Sequence, residues 1–211
     1  PGCHDVFNNC NLEMARMAAI LAGNCDMTFR DCKADCGTYF ALMHCVNGWQ
    51  EEVGDVIVEG GTIRTQKEAF LIKSDNANIE LSEVDISSAC GVLVHSIVND
   101  DPCATPVTEP AFGVNVTMNA MRVEGDLIHE DATRDMWVKL NSTTLSGAIR
   151  GAHLDMDAGS KWYATADSHV TLMGDVEPAQ IDAPAGVTVT VGGGKAATFQ
   201  LASGGCLIVN E

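Results

Sequence analysis

DVIVEGGTIRTQKEAFLIKS at 55–74, followed by ANIELSEVDISSACGVLVHS at 77–96, sets the rule for the chain. In the first copy Val56, Val58, Ile63, Ala69 and Leu71 are the apolar positions, and Ile79, Leu81, Val84, Ile86, Val92 and Val94 repeat nearly the same offsets in the second. Each copy divides into three short alternating segments separated by polar or Gly corners. A period of two places successive side chains on opposite faces of a strand. A unit this small cannot bury its inner face alone, but a stack of such units can, which is the mark of a solenoid.

The same spacing extends in both directions. Cys3 to Cys25, Cys10 to Cys32 and Val116 to Val138 are each separated by 22 residues. Aligning Cys10 with Cys32 pairs Phe7 with Phe29, Leu12 with Ala34, Ala18 with Phe40 and Ile20 with Leu42. EMARMAAILAG at 13–23 is rich in helix formers, but propensity is a weak prior against agreement with later copies. The stretch is therefore expected to be strands, with a short disulfide-tied helical cap as the alternative. NVTMNAMRVEGDLIHE and MWVKLNSTTLSGAIRG supply two more copies. The reading is an all-β chain forming one domain over 1–211, of about seven to eight rungs. Cys-rich rungs cover 3–45, regular rungs 55–175, and capping strands 176–211. Two insertions interrupt the stack, one after His44 and a Pro-rich one after His95, because proline belongs in loops and at sheet edges.

Composition narrows the function classes. The net charge of −17 comes from 29 acidic and 12 basic residues, so nucleic acid and anionic membrane are poor partners. No run approaches the apolar length of a membrane span. PGCHDVFNNC has neither a basic start nor an apolar h-region, and the chain reads as a mature product or a piece of a longer one. Nine cysteines leave two readings open. One is inter-rung disulfides, with Cys3, Cys25, Cys10 and Cys32 as candidates, because stacked residues lie about 4.8 Å apart. The other is a column of buried thiols. No CxxC pair points to zinc.

The segments LNSTTLSGAI, LDMDAGSKWYATADSHVTLMG and IDAPAGVTVTV, within 55–191, carry a resemblance to right-handed parallel β-helices of the pectin-lyase-like type. They resemble most the non-catalytic surface-adhesin or autotransporter-passenger branch. The resemblance implies a right-handed solenoid, a secreted or cell-surface location, and a carbohydrate or cell-surface protein as partner. It is weak for activity, because this architecture also serves lyases and hydrolases. Open solenoid ends would also allow self-association.

Candidate residues follow from columns on the rungs. ALMHC, FLIKS, VLVHS, DLIHE and GAIRG place His44, Lys73, His95, His129 and Arg150 in one expected register, with Trp49 in the neighbouring insertion as a stacking surface. That set reads as a glycan or anionic-group contact strip, against a solvated basic edge. Weaker metal candidates, for Ca²⁺, are Asp100 with Asp101 in the longer insertion and Asp155 with Asp157 on one strand. On the first strand, Thr28, Ile57, Glu80, Thr117, Lys139 and Asp155 are expected to form one outward column. Arg30, Glu59, Ser82, Asn119, Asn141 and Asp157 form the next. Neither collects three carboxylates, and no nucleophile has a plausible base. The preferred function is a non-enzymatic module acting as adhesin, spacer or glycan contact, without a cofactor. The alternative is a polysaccharide lyase or glycoside hydrolase with its cleft between the insertions.

Overall fold

A computed structural model describes residues 2–44, 53–101, 113–174 and 176–210. It is an all-β parallel solenoid. Strands Cys3–Asn8, Cys25–Arg30, Val53–Glu59, Asn76–Ser82, Val114–Asn119 and Met136–Asn141 stack in parallel as a first face. Short strands make the second face, Asn11–Met14 through Asp85–Ser88 and then Arg122–Glu124 through Ile181–Asp182, as two separate four-stranded ladders. Strands Ala19–Leu21, Ala41–His44, Phe70–Lys73, Val92–Ile97 and Asp126–His129 make the third. The helix-prone stretch at 13–23 contributes to two strands of the first rung. Among the described residues no helix is long and apolar enough to cross a membrane.

The strand Ile149–Met156 turns from one face into another. Ile149 and Arg150 pair with Leu127 and Ile128 of the third face, whereas His153 to Met156 pair with Trp137 to Leu140 of the first. This joins the first and third faces into one 16-stranded sheet. At the far end, Ala197–Gln200 runs antiparallel to Cys206–Val209.

Alternation on the first face produces three inward columns. Val56, Ile79, Val116, Val138 and Leu154 form one, Phe29, Val58, Leu81, Met118, Leu140 and Met156 another, and Ala77, Val114 and Met136 a third, and all are buried. With few aromatic residues available, aliphatic side chains and methionines fill most of the core. The exception is the first three rungs, where Phe7, Phe29, Phe40 and Phe70 form a continuous run of ring contacts at 4.9–5.7 Å between centroids. Such offset or edgewise contacts contribute about 0.5–1.5 kcal/mol each beyond area burial.

The corner after each first strand recurs with one backbone solution. Asn9, Asp31, Gly60, Glu83, Ala120 and Ser142 all have positive φ. The N–H groups of Asn9, Asp31, Gly60, Glu83 and Ala120 each donate to the carbonyl of the residue that ends the next rung's strand, at 2.8–3.1 Å. At Ser142 the acceptor is instead the carboxylate of Asp157, at 2.9 Å. One corner bond per rung holds the stack in step, so the first face keeps a single register from Cys25 to Met156.

The third strands depart from expectation. Leu42 and Leu71 were expected inward, but the inward residues are Ala41 and Met43, and Phe70 and Ile72. In ALMH and FLIK nearly every position is apolar, so either phase satisfies the pattern.

A buried polar cluster lies where the third face turns back to the first. Arg134 Nη1 donates to Asp131 Oδ2 at 2.9 Å, and both side chains are fully buried. Ser74 Oγ donates to the same oxygen at 2.9 Å, and Thr133 donates to Oδ1 through both N–H and hydroxyl. Burial works to raise the Asp131 carboxyl, yet these donors hold it below the usual range. Asp75 is 1% exposed. Its Oδ1 accepts the Asn76 N–H at 3.0 Å, and its Oδ2 has no protein partner. Burial pushes Asp75 up to about 7, against the opposing pull of that N–H and of Arg134.

Candidate functional site

The basic residues singled out on the third strands do not share one register. His44 and Lys73 are direct partners. Lys73, however, pairs with Ile97, and His95 pairs with Leu71 and Ile128. Arg150 joins the His95 column through Ile128. His129 aligns with Ser96 and Ile72. Lys73 and His95 keep the same phase but stand two residues out of step; His129 is displaced from His95 by a bulge, where Val92 pairs with Asp126 and Val94 with Leu127, leaving Leu93 as an extra residue. One extra residue transfers every later side chain to the opposite phase.

These side chains are engaged by carboxylates or backbone. Lys73 Nζ lies 2.5 Å from Asp100 Oδ1 and 2.7 Å from Asp101 Oδ1, and His44 Nδ1 lies 3.6 Å from Asp101 Oδ2. Burial lowers the proton affinity of Lys73, but its bonds to Asp100 and Asp101 outweigh this and raise it. The Lys73 bond in turn holds Asp100 low. The two aspartates considered for Ca²⁺ therefore already hold an ammonium group. His95 lies between Glu68, 3.3 Å from Nδ1, and Glu130, 3.0 Å from Nε2. His129 Nε2 faces the Arg134 carbonyl at 2.9 Å, and Arg150 Nε donates to the Asp167 carbonyl. Trp49 lies outside the described residues, as do most of the two insertions.

Asp155 and Asp157 also part company. Asp155 Oδ2 faces Lys139 Nζ across the rungs at 3.8 Å. Asp157 is a corner clasp: it accepts from Ser160 Oγ at 2.6 Å and from the N–H groups of Ser142 and Gly159. The Ser160 bond first, and then these N–H groups, depress its carboxyl below the usual range. Among the described residues no group of three or more His, Cys, Asp or Glu side chains could hold a metal ion.

The first face presents the outward columns as expected, except that the last strand ends at Met156 and Asp157 does not continue the second column. Thr28, Ile57, Glu80, Thr117, Lys139 and Asp155 are successive partners. Arg30, Glu59, Ser82, Asn119 and Asn141 form the next column. A further column holds Asp55, Asn78, Asn115, Trp137 and His153. Its polar end is a chain of amide bonds, with Asn78 Nδ2 donating to Asp55 at 2.7 Å and Asn115 Nδ2 donating to Asn78 at 3.0 Å.

Its other end is aromatic. The Trp137 ring stacks on the His153 ring, with centroids 5.7 Å apart and planes 18° from parallel. Gly113 makes room for the indole: a β-carbon there would come within 2.4 Å of Trp137 Cζ3. His153 Nε2 lies 3.7 Å from Asp135 Oδ1. Trp137, His153, Asn115, Thr117, Lys139 and Asp155 line a shallow groove of about 290 Å³. A flat aromatic surface edged by an amide, a hydroxyl, an ammonium and a carboxylate can stack an apolar ring face and hydrogen bond its polar rim. The sequence signal for this groove is a Trp in an outward column whose four preceding rungs carry Asp26, Asp55, Asn78 and Asn115.

No family model, no curated protein and no solved structure matches the chain.

Proposed function

We propose that this chain is a non-enzymatic solenoid whose first face contacts a glycan at the Trp137–His153 groove. The stacked indole and imidazole carry the reading, because they offer an aromatic platform directly after four rungs of this column that carry Asp or Asn. A rigid stacked sheet loses little conformational freedom when it binds, so shallow contacts repeated along the face can add up. The third-face strip contributes less, since acidic neighbours already neutralise Lys73, His44 and His95. The coil is proposed as a right-handed β-helix, since parallel crossovers within one sheet are right-handed in the great majority of proteins. A secreted or cell-surface location belongs to the same proposal.

The test exposes the chain and its Trp137→Ala variant to immobilised neutral and acidic polysaccharides, scoring retained protein and released oligosaccharide together. The expected result is retention on at least one polymer, reduced at least tenfold by Trp137→Ala, with unchanged thermal unfolding and no released product. Equal retention of the two proteins would remove the groove from the argument. Released oligosaccharide would replace the reading with a lyase or hydrolase.

A further inference from the structure

Cys3 and Cys25 begin the first and second rungs and are direct partners on adjacent parallel strands. Both are half-buried free thiols, and the nearness of Cys25 is the main reason the Cys3 thiol is pushed above its ordinary value. Adjacent parallel strands hold paired Cα atoms about 4.8 Å apart, within the range that a disulfide spans.

Cys10 and Cys32 have the same separation in sequence but a different disposition. Cys32 Sγ is directed at the carbonyls of Phe7 and Arg30, each at 3.4 Å, and receives the Cys10 N–H at 3.4 Å. Cys10 Sγ is directed at the Asn8 carbonyl, at 3.5 Å. In this pair each sulfur is committed to backbone; in the other, the two thiols occupy directly paired positions of adjacent strands. The strand that carries Cys3 has a neighbour on one side only, so it can adjust to the torsion a disulfide demands with little resistance from the rest of the sheet.

We propose that Cys3 and Cys25 are an oxidisable pair that closes to an inter-rung disulfide, fastening the outermost strand to the second rung, while Cys10 and Cys32 remain thiols. A small-molecule disulfide such as glutathione disulfide serves as the oxidant. One protein thiolate attacks it and expels a glutathione thiolate. The second protein thiolate then attacks the mixed disulfide and expels the other. Two protein thiols lose two electrons and two protons, and glutathione disulfide becomes two glutathione thiols.

The experiment equilibrates the full chain with mixtures of reduced and oxidised glutathione, quenches it with a thiol alkylator under denaturing conditions, and maps the digested peptides by mass. The expected product is a monomer lighter by two hydrogens, with Cys3 joined to Cys25 and both Cys10 and Cys32 alkylated. In hydrogen exchange, oxidation should slow the amides of residues 3–8 at least tenfold, and Cys25→Ser should abolish that response. A Cys10–Cys32 link, a bond from either partner to any other cysteine, a stable glutathione adduct or a disulfide-linked dimer would each overturn the assignment. So would an oxidised wild-type chain whose exchange at 3–8 is unchanged.

Discussion

Replacing Asp75 with Asn should change the pH dependence of stability in a way no surface substitution would. The folded chain holds the Asp75 proton up to about pH 7, whereas an unfolded chain releases it near the ordinary value of 3.8. Between those values the folded state binds more protons than the unfolded state, so stability falls as pH rises. The contribution is fully present below 3.8 and is lost as pH rises through about 7. At about 1.4 kcal/mol for each tenfold change in proton affinity, the displacement corresponds to about 4 kcal/mol. Relaxation around a buried carboxylate reduces the realised figure, so about 2–4 kcal/mol is expected. Asn retains the acceptor for the Asn76 N–H and carries no charge. Its second polar atom replaces the oxygen that has no protein partner, a cost independent of pH. Urea unfolding of wild type and Asp75→Asn at about pH 5 and about pH 8 isolates the effect, because the other carboxylates cancel in the difference. Over a third of the displacement is already lost by pH 5, so the advantage of Asp75→Asn over wild type should grow by about 1–2.5 kcal/mol across that interval. Parallel curves, with a constant offset of either sign, would refute the placement of a destabilised carboxylate in this corner.

Other substitutions test separate parts of the architecture. Arg134→Met would strand the buried Asp131 carboxylate and should cost about 3–5 kcal/mol in denaturant unfolding; a loss below about 1 kcal/mol would mean that Ser74 and Thr133 suffice. Thr143→Val removes the hydroxyl that accepts the Met121 N–H and donates to main-chain carbonyls, and should cost about 1–3 kcal/mol by the same measurement. Ala120→Gly relieves a side chain held at φ 53° and should stabilise by about 0.5–1 kcal/mol. An unchanged or lower melting temperature would argue that the corner tolerates this φ without strain.

How much of this was legible in the sequence differs from face to face. On the first face, strands such as VIVE and NIELS alternate cleanly, and the corner that follows recurs with a backbone bond to the next rung. Alternation therefore carries Thr28 through Asp155 in one column, as read. On the third face, GVLVHS conceals an extra residue, because Val92, Leu93 and Val94 are equally apolar and a bulge among them leaves no trace in the pattern. His95 consequently falls out of line with His129. The ion pairs that neutralise the strip were invisible for another reason. Glu68 and Glu130 lie 27 and 35 residues from His95 and meet it only through the coiling of the chain. Trp137 and His153 could have been placed from the same register that located Lys139 and Asp155; their stacking could not.

The recurring corner also governs how such a chain can change length over generations. Five successive left-handed corner residues, Asn9 to Ala120, are each bonded to the end of the following first strand, so the stack behaves like a thread with a set pitch. A duplication or loss of one whole turn, such as the 22 residues from Val116 to Val138, returns the backbone to the same corner with the same side chains facing in. An insertion of any other size within a turn must either reverse inside and outside or bulge away from the wall. The segment between Ile97 and Val114 begins where one strand ends and ends where the next begins, so its length leaves the register of the wall unchanged. Heritable variation in length should therefore come in complete turns along the wall, and in arbitrary numbers of residues only where the chain has already left it.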